Sequence, residues 1–280
     1  MVKTEGEQMN TTNQEQIDYW DKRAGPTWVD MQEHLDALLE PLSAAGLRAA
    51  AVLPGERVLD VGCGCGDTTI ALQGQGADVL GVDVSGPMLE QARRRDRSIQ
   101  YRQADAATTD FGGAFDLVFS RFGVMFFSDP VAAFRNLRRA LKSTGRLLFV
   151  CWQPAGANPW MSTAGRAIAP FLPAPDGSVN PRAPGPFAFA DKDYVTDILQ
   201  TAGFSNISIT SHTATLRVAD SLAEAVAFQT RIGPAARVMS ELEGDQRTAA
   251  LAAVEEAFRP LDQGNGLHMD SAVWLVSARA

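Results

Sequence analysis

Hydrophobic positions along this chain change their period at regular intervals, and those changes outline its elements. Met31, Leu35, Leu38, Leu39 and Leu42 recur three or four residues apart and predict one apolar helix face. Pro41 lacks a backbone donor, so a kink or split is expected there, with a second helical piece running to about Val52. Beyond Pro54-Gly55, short apolar runs alternate with helical stretches: strand 57–61, helix 67–74, strand 78–82, helix 86–96, strand 99–103, strand 115–120, helix 130–142 and strand 145–151. Asp129-Pro130 is a helix start, with a capping acid and a proline at the first helical position. Strands separated by helices imply an α/β fold with a doubly wound, mostly parallel sheet.

The last part of the chain is less regular. Residues 154–189 hold 8 of the 15 prolines and carry Trp160, Phe171, Phe187 and Phe189. They read as an irregular cover over the carboxyl edge of the sheet, with a short helix near 160–170; a lid and a structural wrap are both open. In the lid reading, Trp160, Phe187 and Phe189 are the substrate-facing candidates. Asp191 caps a helix to about Ala202 that Gly203 closes. A strand at 206–211, continued by 214–218, precedes Ala-rich helical stretches at 221–231 and 235–258, and 271–279 supplies the final strand. The expected organisation is a disordered polar tail (1–16), an N-terminal helical cap (17–53), a core (54–153), the cover (154–190) and a C-terminal part of the sheet (191–280) with a helical insertion at 221–260.

The chemistry concentrates at three successive strand ends. Val58-Leu59-Asp60-Val61-Gly62-Cys63-Gly64-Cys65-Gly66 is an apolar strand entering a G-x-G-x-G turn, and Asp67 reads as the cap of the next helix. Such a turn lets a ligand lie against bare main chain beside a helix N-terminus. Asp83 ends the second strand, 23 residues after Asp60, near the spacing at which an acid meets a ribose diol. Asp105 ends the third, suited to an adenine amino group. A dinucleotide fingerprint needs glycine at position 67, where this chain has Asp67, so S-adenosylmethionine (SAM) is the better reading than a nicotinamide cofactor.

These stretches resemble the class I SAM-dependent methyltransferases, in particular the ubiquinone/menaquinone C-methyltransferase-like group. The resemblance continues through Gly81–Leu89, Gln103–Ala106, Phe115–Phe122 and Arg146–Trp152, and covers about Trp20 to Trp160 and the last strand. It implies a Rossmann-like sheet of seven strands whose last strand is antiparallel and lies beside the fifth. It also implies that Gly62, Gly64 and Gly66 shape the turn around the methionine and ribose parts. Asp83, with its neighbour Val84, serves the ribose; Asp105 and the amide of Ala106 serve the adenine edge, and Met88 its face. Asp60 orders the turn, and Ser120 presents a carbonyl to the methionine portion. Tyr19, Arg23 and Trp28 come from N-terminal helices that fold over the cofactor, Arg23 as partner of its carboxylate. For catalysis the candidates are His34 and Tyr19; His212 and His268 read as structural or surface groups. The implied activity is methyl transfer to a small-molecule acceptor, leaving S-adenosyl-L-homocysteine (SAH). The alternatives are SAM binding without transfer and an NAD(P)-dependent oxidoreductase. The chain departs from the group at Ser143-Thr144-Gly145, where Pro-Gly-Gly is usual before the fifth strand, and from Pro154 to about Leu267, where no motif matches.

Composition narrows the partners. A net charge of −8 and a pI near 5.0 argue against a nucleic-acid partner, and Arg93-Arg94-Arg95 and Arg138-Arg139 read as solvated helix faces. Asn158-Pro159-Trp160 lies after the fifth strand, not the fourth where DNA amino-methyltransferases carry a similar motif, and reads as a turn. No apolar run reaches the length of a membrane span. Three cysteines, two of them inside the glycine turn, suggest a cytoplasmic, reducing setting without disulfides or metal.

Overall fold

In the computed structural model the described residues are 14–171, 180–239 and 241–280. Most of the expected tail and the Leu172–Val179 part of the expected cover therefore lie outside them. Residues 14–19 are helical, so a helix already runs through residues 14–16 of the expected tail. A π-helical turn (Trp20–Ala24) leads into α1 (Gly25–Asp30) and α2 (Gln32–Ala50). The core elements are β1 (Arg57–Val61), α3 (Asp67–Gly74), β2 (Asp78–Asp83), α4 (Gly86–Arg95), β3 (Gln100–Gln103), β4 (Phe115–Arg121), α5 (Pro130–Ala140) and β5 (Leu141–Trp152). They are followed by α6 (Pro159–Ile168), α7 (Lys192–Thr201), β6 (Ser205–Ala219), α8 (Leu222–Gln229), α9 (Gly233–Met239), α10 (Gly244–Phe258) and β7 (Leu267–Arg279).

The seven strands lie in the order β3-β2-β1-β4-β5-β7-β6. The first five are parallel, and β7 runs antiparallel to β5 with Val150 opposite Leu275. Strand order reverses at β1/β4, so the connections leaving these two strands run to opposite sides and a crevice forms at the carboxyl edge. Leu59, Leu117, Phe119 and Phe149 are fully buried, as expected of strands covered on both faces.

The chain forms two compact units: Met1–Trp152 with Arg182–His212 and Val273–Ala280, and Gln153–Pro181 with Thr213–Ala272. The expected cover is therefore divided, and its last residues belong to the first unit. There Phe189 is core: its ring packs 6.0 Å from Phe134, 6.1 Å from Phe149 and 6.4 Å from Tyr194. In the second unit α6 packs against α10 and α9, and Trp160 is buried. Asn158 is more than a turn residue. Buried in the second unit, it donates to the Ala272 carbonyl at 3.0 Å and accepts from the Ala272 amide at 2.9 Å.

Four local expectations change. Helix α2 passes through Pro41 unbroken while its leucine face stays buried, and Met31 falls in the break before it. Close packing holds this helix to the sheet, since a Cβ on Gly46 would come within 2.7 Å of Val150. The residues Ser143-Thr144-Gly145 are part of a longer β5, which begins at Leu141 opposite Phe115. The stretch 235–258 is two helices, separated before Gly244, whose φ is +52°. The helix α3 is capped by Gly66 in the left-handed conformation, and Asp67 is its first residue with its carboxylate turned elsewhere. Because Phe189 fills the core, Phe189→Ala is expected to lower unfolding free energy by about 3–5 kcal/mol. Urea denaturation checks this, and a loss under about 1 kcal/mol would return Phe189 to the surface.

Candidate functional site

A cleft opens at the carboxyl edge of the first unit, and main chain forms its floor. Gly62 and Gly64 have φ of +68° and +54°, which glycine adopts without strain. A Cβ on Gly62 would lie 2.7 Å from the Cα of Gly123, so the ends of β1 and β4 meet there too closely for any side chain. A Cβ on Gly64 would meet the Met88 methyl at 2.7 Å. The Gly62 and Cys63 amides both donate to the Val82 carbonyl, at 2.8 and 3.1 Å, and so tie the turn to β2.

Two carboxylates flank this floor. Asp83 accepts from the Gly64 amide at 2.8 Å through one oxygen and from the Ser85 amide at 2.9 Å through the other. Burial raises its pKa above the ordinary value, against the pull of these amides. Asp105 accepts from the Ala107 amide at 2.9 Å within its own turn. The neighbouring Ala106 carbonyl is held by the Asn136 side-chain amide at 3.0 Å. Val84, Met88, Asp105 and Ala106 line the cleft together with Asp83.

Asp60 sits beneath the floor, fully buried. One of its oxygens accepts from the Thr68 and Thr69 hydroxyls at 2.8 and 2.7 Å, and the other has no partner among the described residues. Burial lifts its pKa from 3.8 to about 6, opposed by the two threonines and by the Arg121 charge. The cleft's cysteines are buried as well: burial pushes the Cys65 thiol up to about 12 and Cys63 well above its usual range.

The opposite wall is aromatic. Trp20 packs edge-on against Trp28 at 5.8 Å and Phe126 at 4.9 Å, and all three line the cleft with Leu35, Leu39 and Phe122. Phe122 holds a positive φ of +62°, a conformation costing about 1–3 kcal/mol for a non-glycine residue. Its amide donates to the Val150 carbonyl at 3.0 Å, and its ring stacks on Trp152 at 4.0 Å.

Several sequence candidates lie elsewhere. Arg23 is exposed, and Tyr19 is 41% exposed with its ring against Trp20; neither lines the cleft. His34 is on α2 but not on the side that gives Gln32, Leu35 and Asp36 to the cleft. No histidine or tyrosine occurs among the described lining residues. Ser120 is buried, its hydroxyl accepting from the Gly123 amide at 3.2 Å, and the cleft is reached instead by the next residues, Arg121 and Phe122. Trp160, Phe187 and Phe189 are absent from the lining. Conversely, Asp36, Asp67, Arg121 and Trp20 line the cleft without having been singled out for it. A cation closing the apolar run Phe115–Ser120 was the available sign for Arg121.

Comparison with known proteins bears on the family and the fold. Residues 59–149 match the methyltransferase-domain family. An uncharacterised protein of Mycobacterium tuberculosis is 30% identical over 169 residues, 59% of each chain, so the chain spans about three fifths of that relative's length. A demethylmenaquinone methyltransferase of Staphylococcus saprophyticus is 30% identical over 178 residues, 58% of this chain and 76% of the relative. The chain belongs to the SAM-dependent methyltransferases. Among solved structures, one from Bacillus halodurans C-125, assigned as a methyltransferase, superposes with a TM-score of 0.55 at 18% identity, covering 85% of this chain and 97% of that one; it supports the fold. The cofactor of this methyltransferase family fits the residues present. The bare glycine floor leaves room that a Cβ would fill, and Asp83 and Asp105 offer acceptors to a diol and an amino group.

Asp60 yields a stability prediction. Its folded pKa lies above its unfolded one, so its contribution is fully present below pH 3.8 and is lost as pH rises to about 6. Wild type measured against Asp60→Asn is therefore expected to lose about 3 kcal/mol of relative stability across that window, at about 1.4 kcal/mol per pKa unit. Urea titrations at several pH values check this; a difference flat from pH 4 to 7 would contradict the raised pKa.

Proposed function

We propose that this chain transfers a methyl group from SAM to a small, largely apolar acceptor. The observation that carries the reading is a single cleft with main chain and two acids on one side and an aromatic wall on the other. The likeness to a relative named for demethylmenaquinone supports an acceptor of small-molecule size. A net charge of −8 speaks against a polyanionic one. No helix among the described residues is long and apolar enough to cross a membrane.

When bound, the cofactor supplies an activated methyl on a sulfonium, with a neutral thioether as leaving group. The protein's task is then positioning and drying rather than heavy acid–base work, and holding two reactants in line can supply about 7–11 kcal/mol of the barrier. Asp83 accepts from the ribose hydroxyls through lone pairs left over from its two amide bonds. Asp105 and the Ala106 amide take the adenine edge, with Met88 against its face. Gly62 and Gly64 let the methionine part lie on main chain. Trp20, Trp28 and Phe126 exclude water and hold the acceptor's apolar body. His34 and Tyr19 are given no catalytic part, since neither reaches the cleft.

Calorimetric titration with SAM, SAH and NADH tests the cofactor. Binding of the first two without the third is expected, followed by acceptor screening through SAH release. Silence from both adenosyl compounds would overturn the reading. Asp83→Ala removes a charged acceptor worth about 1.5–3 kcal/mol, so SAM affinity is expected to fall roughly 10- to 150-fold. An affinity within about threefold of wild type would remove Asp83 from the site.

A further inference from the structure

The two edges of the sheet are unlike. The edge at β3 is only four residues long. It is also guarded by arginine: Arg93 donates to the Tyr101 carbonyl at 3.0 Å, and the Arg102 guanidinium lies 5.9 Å from the Phe111 ring. Arg94 and Arg97 line the same groove. Short length and positive charge are devices that keep an exposed edge from pairing with another chain.

The edge at β6 has neither device. This strand is 15 residues long, and from Gly203 to Leu216 the chain holds no Asp, Glu, Lys, Arg or Pro. Its part within the first unit, Ser205–His212, is poorly covered: Ser208, Thr210 and Ser211 are exposed, and Ile207 and Ile209 only half-buried. Ile207, Ile209 and Thr210 are β-branched, a type enriched in paired strands. Strand β7 lies on one side of β6, and no strand among the described residues lies on the other. An edge of this length presents a row of N–H and C=O groups to whatever comes beside it.

We infer that Ser205–His212 is the surface through which two copies of this chain pair, β6 running antiparallel to its counterpart across a two-fold axis. Antiparallel pairing lets one segment meet itself, so the contact is isologous and closes at two copies. Charge points to the same place and the same occupant. Two chains of net charge −8 repel one another, and this strip is a stretch where they can meet without bringing acids together. The exposed Ser and Thr side chains suit cross-strand neighbours in such a pair, and Ile207 and Ile209 gain cover. Strands β5 and β7 separate β6 from β4, so pairing leaves the cleft between β1 and β4 open in each copy.

Sedimentation velocity and amide hydrogen exchange of the full chain test this together. Between about 1 and 100 µM the mass is expected to rise from 30.1 kDa toward twice that value, and exchange over 205–212 to slow at least about tenfold. Ser208→Lys combined with Thr210→Lys sets like charges against each other across the axis, at residues that are exposed in the single chain. This double variant is expected to stay at 30.1 kDa over the whole range and to melt within about 2 °C of dilute wild type. A wild type that remains at 30.1 kDa throughout overturns the inference, and so does a dimer that survives both lysines. Exchange that is slow but independent of concentration would mean that the chain's own residues cover the strip, and overturns it as well. Should the double variant fail to fold, Ser208→Asp alone is required to weaken dimerisation at least about tenfold with the far-UV spectrum retained, and no weakening overturns the inference.

Discussion

One carboxylate fixes the frame on which the cleft is built. Asp83 receives the Gly64 amide on one oxygen and the Ser85 amide on the other, and so ties the turn after β1 to the entry of α4. Those segments are far apart in sequence, and the parallel pairing of β1 with β2 brings them to one edge. The approach of Gly62 to Gly123 sets the other side. Between these constraints the floor is main chain held by its own hydrogen bonds, rigid without side chains that would fill the space. Asp60 lies buried beneath it, with one oxygen that has no partner among the described residues.

Sequence reading found the core where local signals and tertiary demands agree. Strand β1 and helix α3 appear at the predicted residues, because the apolar run and the glycine turn point the same way there. It failed where packing overrode a local signal. Pro41 promised a break, but a helix face with Leu38, Leu39 and Leu42 buried continues through it. Aromatic Phe189, in a proline-rich stretch that left a lid and a structural wrap both open, proved to be core. Gly62, Gly64, Asp83 and Asp105 could be picked out because each stands where a strand run ends, and all four line the cleft. Arg121, Asp36 and Asp67 could not be, since β4, α2 and α3 meet only in the folded chain.

The aromatic side of the cleft follows a similar logic of strain set against packing. Phe122 sits in a left-handed conformation that its backbone alone disfavours, and its bond to Val150 and its stacking on Trp152 offset that cost. The result carries the chain sharply off the end of β4, so that Gly123 can approach Gly62 while Phe126 turns toward Trp20. Floor and wall thus share one bend.

The glycine turn also carries two thiols, and a sulfonium is an alkylating agent. A thiolate beside it would compete with any acceptor for the methyl group and would inactivate the protein one molecule at a time. Burial keeps Cys63 and Cys65 protonated far above neutral pH, and the protonated thiol is a poor nucleophile. The same dryness that strengthens the polar contacts of the cleft therefore protects it from its own reagent.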